Sequence, residues 1–182
     1  MNLFAKRTLL MIFVLFMSCV ARAQEGNINM SSYRLGVGDK VAINVFGQSD
    51  LSMETRLPDV GKINYPFLGE LKLVGLTLSE VENLIYTGLE GDYLVNPSVA
   101  VSIIEYRPFF IDGEVKNPGG YPYQPGLSVN KAAALAGGYT ERASRSDIQV
   151  VRESNGNQKT MEVNVSHLIQ PGDIITIPQR FF

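Results

Sequence analysis

Glycine and proline set the scale of structure in this chain. With 17 glycines and 9 prolines among 182 residues, most apolar runs are cut before they reach the length of an ordinary helix. The runs that remain alternate. In Lys40 to Phe46, Val41, Ile43 and Val45 fall on one face and Lys40, Ala42 and Asn44 on the other, the period of a half-buried strand. Arg56 to Leu73 reads as short strands around tight turns. Asp59-Val60-Gly61 is a turn, Ile63 and Tyr65 alternate, Pro66 marks an edge or exit, and Gly69 and Gly75 break the following runs. Ser98 to Ile104 is a strand with Val99, Val101 and Ile103 on one face. Later strands are expected at Phe109 to Val115, Ile148 to Arg152, Lys159 to Val165 and Asp173 to Pro178. A tight turn is expected over Lys116-Asn117-Pro118-Gly119-Gly120, and a hairpin turn over Glu153 to Gln158.

Two helices interrupt this pattern. Thr77-Leu78-Ser79-Glu80 is a capping box, in which the Thr hydroxyl and the Glu carboxylate satisfy free N–H groups. Leu78, Val81, Leu84, Ile85 and Leu89 follow at helical spacing, and Gly88 and Gly91 weaken and end the helix. Ser128 caps a second helix over Val129 to Ala136, stopped by Gly137 and Gly138. Its inner face is read as Val129, Ala132, Leu135 and Ala136. The fold class is therefore α+β: two small β-rich modules, each a mixed or antiparallel sheet with one short helix. The boundary falls at Tyr106-Arg107-Pro108, giving modules over 33–105 and 106–180.

The modules echo each other. Leu35-Gly36-Val37-Gly38-Asp39-Lys40-Val41-Ala42-Ile43 matches the pattern of Ile169-Gln170-Pro171-Gly172-Asp173-Ile174-Ile175-Thr176-Ile177. Gly38 and Gly172 supply the unusual backbone angle of a tight turn, and Asp39 and Asp173 can bond a neighbouring backbone N–H. This is read as a shared turn type.

The N-terminus has the layout of a secretory signal. Lys6 and Arg7 precede an unbroken apolar run from Leu9 to Met17, and Ala21-Arg22-Ala23 fits the small-x-small rule for cleavage between Ala23 and Gln24. The run is shorter than the roughly 20 residues a membrane-spanning helix needs. The alternative is a lipoprotein signal ending at Cys19, the one cysteine, with Ser18 before it. Cleavage after Ala23 removes residues 1–23, leaves 24–32 as a polar, flexible lead, and leaves no cysteine for disulfide, thiol or metal chemistry. It also removes Lys6, Arg7 and Arg22, making the formal charge of −2 three units more negative. A mildly acidic chain with no basic run argues against nucleic acid as a partner.

Catalytic groupings are sparse. His167 is the one histidine, placed in a loop and read as a surface residue. There is no Gly-x-Ser-x-Gly elbow, no phosphate-loop pattern and no second histidine, so nucleophilic catalysis and a His-rich metal site have no footing. Asp50, Glu54, Asp59 and Glu70 share a module, but nothing in their spacing pairs them as a glycosidase requires. No enzyme activity, metal or cofactor is expected. Tyr106, Phe109, Phe110, Tyr121, Tyr123 and Tyr139 fall within one stretch. Aromatic faces can cover sugar rings, and Tyr121 and Tyr123, in a Pro-rich loop, are the candidates expected to be exposed for glycan contact. Phe109 and Ile111 share a strand face and are assigned to the core.

Taken in order, several segments resemble a known family. Tyr33-Arg34-Leu35-Gly36-Val37-Gly38-Asp39, Val45-Phe46-Gly47, Asp50-Leu51-Ser52, Asp59-Val60-Gly61-Lys62-Ile63, Tyr65-Pro66-Phe67-Leu68-Gly69, Gly75-Leu76-Thr77 and Asn96-Pro97-Ser98-Val99-Ala100-Val101 resemble the polysaccharide export module of Wza-like outer-membrane proteins. Gly113-Glu114-Val115-Lys116-Asn117-Pro118-Gly119, Ala134-Leu135-Ala136-Gly137-Gly138 and Pro171-Gly172-Asp173 resemble the soluble-ligand-binding β-grasp (SLBB) module that follows it. The resemblance covers about residues 33–178. It implies a homo-oligomeric periplasmic ring, associated with the outer membrane of a Gram-negative bacterium. Such a ring guides capsule or exopolysaccharide outward and contacts an inner-membrane co-polymerase. The family brings no catalytic residue. Fuller members add a second β-grasp module and a C-terminal amphipathic helix that forms the pore. This sequence ends at Phe182, and the expectation is a separate outer-membrane pore protein as partner. The rival reading is a free periplasmic β-grasp protein that binds a glycan or small molecule.

Overall fold

The computed structural model describes residues 32–154 and 157–180. The expected leader, with the expected cleavage residues Ala23 and Gln24 and the alternative lipidation residue Cys19, lies outside the described residues. So do residues 24–31 and residues 155–156, within the turn expected over Glu153 to Gln158.

The first half of the chain is built on strand β1 (Lys40–Val45), whose alternating side chains bury Val41, Ile43 and Val45. A 3-10 turn (Ser49–Leu51) returns the chain to β2 (Met53–Arg56), which pairs antiparallel with β1. β3 (Lys62–Tyr65) and β4 (Gly69–Lys72) form a separate antiparallel hairpin. Helix α1 (Leu78–Leu89) starts at the complete capping box of Thr77 and Glu80. It buries Val81, Ile85 and Leu89, three positions spaced by four along one face. Burying each such side chain contributes on the order of 2 kcal/mol. Strand β5 (Val99–Glu105) then pairs antiparallel with the other side of β1, giving the sheet order β2-β1-β5.

The second half forms one five-stranded mixed sheet. β6 (Phe109–Gly113) and β7 (Gly119–Tyr121) make a hairpin. Helix α2 (Val129–Leu135), capped by the Ser128 hydroxyl, leads on to β8 (Ile148–Ser154) and β9 (Asn157–Val163). The last strand, β10 (Ile174–Ile177), inserts between β6 and β8, parallel to β6 and antiparallel to β8. The order is β7-β6-β10-β8-β9. Hydrophobic clusters follow the same division. One joins residues from Leu35 to Val101, the other from Phe109 to Ile177. The two β-rich modules of the α+β reading are thus present.

Three expectations need correction. Leu135 is exposed, and Ala133 takes the inner position instead. Val129, Ala132, Ala133 and Ala136 follow the i, i+3, i+4, i+7 spacing that lines one side of a helix, whereas Leu135 points about 120° off that stripe. Leu84 on α1 is likewise part-exposed. Finally, Gly119 and Gly120 belong to strand β7, paired with Ile111 and Phe110, so the turn closes earlier, at Pro118.

Candidate functional site

The feature that most distinguishes this molecule chemically lies where the modules meet. Asp39 and Asp173 are both 0 % exposed, the buried polar or charged residues found among the described residues. Each closes a turn of the same build. The Gly36 N–H donates to Asp39 Oδ2 at 2.8 Å, and the Asp39 N–H donates back to the Gly36 carbonyl at 3.2 Å. The Gln170 N–H donates to Asp173 Oδ2 at 2.7 Å, and the Asp173 N–H to the Gln170 carbonyl at 3.1 Å. The third residues, Gly38 and Gly172, have φ of 91° and 84°, as the third position of a type II turn requires.

The two carboxylates differ in their cations. Arg152 grips Asp173 with both prongs, Nε to Oδ1 at 2.8 Å and Nη2 to Oδ2 at 2.7 Å, the strong bidentate geometry. Asp39 instead accepts from the Tyr33 hydroxyl at 2.7 Å and the Arg107 backbone N–H at 2.8 Å, with Arg107 Nη1 3.7 Å away. Burial, and then the Asp39 charge, pushes the Tyr33 hydroxyl well above the usual phenol range.

Arg107 is the residue that ties the two turns together. Its side chain runs between them, with Nε donating to the Pro171 carbonyl at 3.1 Å. A Cβ at Gly36 would lie 1.2 Å from Arg107 Nη1, and one at Gly172 2.6 Å from Nε. The two glycines clear the path of one guanidinium. A ladder of edge-on rings lies beside it, Tyr33 against Tyr106 at 5.4 Å and Tyr106 against Tyr123 at 5.4 Å. Tyr33 packs with the first core cluster and the other two with the second.

Several singled-out residues fall elsewhere. Gly61 precedes β3 and Gly69 opens β4. Gly113 ends β6 so close to β10 that a Cβ would meet the Ile177 carbonyl. Pro118 precedes β7, and Gly137 and Gly138 terminate α2 against Lys116 and Asn117. The expected exposure is overturned for Tyr123, which is 5 % exposed because its ring is drawn into the ladder. Tyr121 is half-buried, stacked on Phe109 at 6.0 Å, with its hydroxyl donating to the Asn117 carbonyl. Among the described residues the large aromatic rings that do face solvent are Phe46, Phe67, Tyr93 and Phe110. Their positions in turns or on an outer strand face were the one sequence signal available. His167 is half-buried rather than on the surface, and its Nε2 is enclosed without a hydrogen-bond partner. Burial, then the neighbouring Arg152, holds it below the usual histidine range. Among the described residues no group of three or more His, Cys, Asp or Glu side chains is placed to hold a metal. No helix among them is long and apolar enough to cross a membrane.

Comparison with known proteins follows the same two-part division. A sequence model described as polysaccharide biosynthesis/export protein matches residues 27–104, and one for the SLBB domain matches residues 108–164. The chain is 36 % identical over 131 residues to the exopolysaccharide production protein ExoF of Rhizobium meliloti, covering 65 % of this chain and 30 % of that protein. It is 27 % identical over 184 aligned residues to the EPS I polysaccharide export outer membrane protein EpsA of Ralstonia nicotianae, covering 81 % of this chain and 48 % of that protein. It is 28 % identical over 145 residues to the polysialic acid transport protein KpsD of Escherichia coli, covering 78 % and 25 %. The chain thus spans less than half the length of each of these relatives.

Proposed function

Because this chain belongs to the polysaccharide biosynthesis/export family and carries its SLBB domain, we propose that it is a non-enzymatic component of a capsule or exopolysaccharide export system. The carrying observation is the ordered pair of matched modules, shared with relatives named for exopolysaccharide production, polysaccharide export and polysialic acid transport. In this reading it acts in the periplasm, beside the outer membrane, as a ring of identical subunits. An inner-membrane co-polymerase delivers the polymer to it. The module division at Tyr106-Arg107-Pro108 is part of the same proposal.

The architecture supports an assembling role. Among the described residues β2, β7 and β9 each lie at a sheet edge with no further strand beside them, while the outer side of β5 is met by α1, where the Val101 N–H donates to Glu82 Oε1. Free edges invite pairing with a neighbouring copy, and a closed head-to-tail ring satisfies them without leaving an open end. The joint at Arg107 supports a subunit that moves as one body, which a ring of fixed diameter needs. The enclosed Nε2 of His167 argues against that residue as a general base, which must reach its substrate proton.

An in-frame deletion in the native host, scored for secreted and surface polysaccharide, tests the proposal. Loss of exported polymer, restored by the wild-type gene, is expected. Undiminished export in the deletion strain refutes it. Native mass measurement of membrane extracts should show a large homo-oligomer, and a strictly monomeric protein would remove the ring from the reading.

A further inference from the structure

The joint occupies one end of the first module, and exposed aromatic residues occupy the other. Asp39 lies just before β1 and Phe46 just past its end, about 23 Å away at the usual rise of a strand. The Phe46 N–H donates to the Ser98 carbonyl, which ties this end to the turn that follows α1. The Tyr65 hydroxyl donates to the Leu51 carbonyl, which ties the β3–β4 hairpin to it as well. At the hairpin tip Phe67 is 66 % exposed, and in the turn after α1 Tyr93 is 48 % exposed. The two rings lie 5.0 Å apart with an interplanar angle of 33°, leaving an outer face on each.

Phe67 is costly where it stands. Its φ is 63°, a left-handed conformation that glycine adopts freely and a bulky side chain rarely does. It also holds most of a phenyl ring in water. Folding alone would favour Gly or Asn at such a turn position, and strain retained at an exposed residue points to a use outside the fold.

We propose that the Phe67–Tyr93 pair is a stacking platform for a neutral sugar residue of the polymer, an inference that rests on the export role above. A pyranose offers an apolar C–H face to an aromatic ring and hydroxyl donors around its edge. The turn carrying Tyr93 supplies acceptors for those donors. Glu90, Asp92 and Asn96 are all exposed, and residues 90–98 contain no Lys or Arg. A turn that is acidic and without a cation suits uncharged sugars and repels uronic or sialic acids, and the lysines of the hairpin, Lys62 and Lys72, lie opposite each other in register at the end away from Phe67.

The test is saturation-transfer NMR on the full chain as secreted, with cellotetraose as the neutral probe and tetragalacturonate as the acidic one. Saturation should reach the ring C–H protons of cellotetraose. The Phe67→Ala/Tyr93→Ala variant should weaken that binding at least about fivefold. Phe67→Gly separates binding from folding. It removes the ring while supplying the residue the backbone favours, so binding should fall while the Tm does not. Absence of transfer to cellotetraose overturns the platform. So does equal transfer in wild type and variant, or stronger binding of tetragalacturonate. Loss of the oligomer in Phe67→Gly with sugar binding intact would reassign the patch to contact between copies, and overturn it too. Full export by Phe67→Gly, in a host where the deletion abolishes export, rejects the platform and leaves the export role standing.

Discussion

The Arg107 joint makes a prediction whose sign depends on background. Gly36 lies outside the left-handed region, so alanine there is tolerated by the backbone. The three nearest atoms to its would-be Cβ all belong to the Arg107 guanidinium, at 1.2, 2.4 and 3.2 Å. Gly36→Ala must therefore expel that group. The loss comprises the hydrogen bond to the Pro171 carbonyl, worth about 1 kcal/mol. It also comprises the contact over the Tyr33 ring at 6.0 Å, worth about 0.5–1 kcal/mol. The ion pair to Asp39 at 3.7 Å is long and Arg107 is partly exposed, so it adds little. Set against the roughly 0.4–1 kcal/mol returned by a stiffer unfolded chain, Gly36→Ala should thus cost a net of about 0.5–1.6 kcal/mol in the wild type. In an Arg107→Ala background the obstacle is gone, and Gly36→Ala should stabilise by about 0.4–1 kcal/mol through the less flexible unfolded chain. Urea unfolding of the four proteins of this double-mutant cycle, followed by circular dichroism, measures both. A Gly36→Ala cost that is the same in both backgrounds would refute the idea that the glycine exists to admit Arg107. Calorimetry on Arg107→Ala should in addition resolve two transitions, one for each module, in place of one.

Other outcomes follow from single residues. Arg152→Ala strands the fully buried Asp173 carboxylate and should cost about 3–5 kcal/mol, read as a lower urea midpoint for the second module, while Arg152→Lys, which cannot grip both oxygens, should fall between. Thr77→Ala removes one half of the α1 capping box and should cost about 1 kcal/mol by the same measurement. Above about pH 10 the unfolded chain releases the Tyr33 proton and the folded chain retains it. Tyr33 should therefore contribute a fall in stability of about 1.4 kcal/mol per pH unit, beside the other tyrosines that burial shifts the same way, and Tyr33→Phe should reduce that slope in pH-dependent melts. His167 is held neutral in the fold, so its contribution is complete above about pH 6.5 and declines as pH drops below that value. His167→Gln should reduce the acid sensitivity of the Tm.

Much of the fold was legible in the chain because its causes are local. The capping box of α1 needs only Thr77 and Glu80, three residues apart. The alternation of Val41, Ile43 and Val45 is read within one strand, and the Gly-Asp turns close within four residues. What that locality could not supply was partnership at a distance. Leu135 looked like a core residue by type, but the direction of its Cβ on α2 leaves it in water while Ala133 packs. Tyr123 sits in a loop whose composition suggests exposure, yet its ring belongs to a ladder begun by Tyr33, 90 residues earlier.

The repeated turn shows the division most clearly. Sequence alone determined that Gly38-Asp39 and Gly172-Asp173 make the same bend, because a tight turn needs φ above zero at the glycine and an acceptor at the aspartate. Tertiary structure alone decided what each turn does. Both carboxylates are stripped of water, and each must then find charge-assisted donors from outside its own turn. Asp173 finds them in Arg152, on the strand that β10 pairs with, and Asp39 finds them in Tyr33 and Arg107. Pairings of that kind depend on which strands become neighbours, a property of the folded chain that no short window of residues contains.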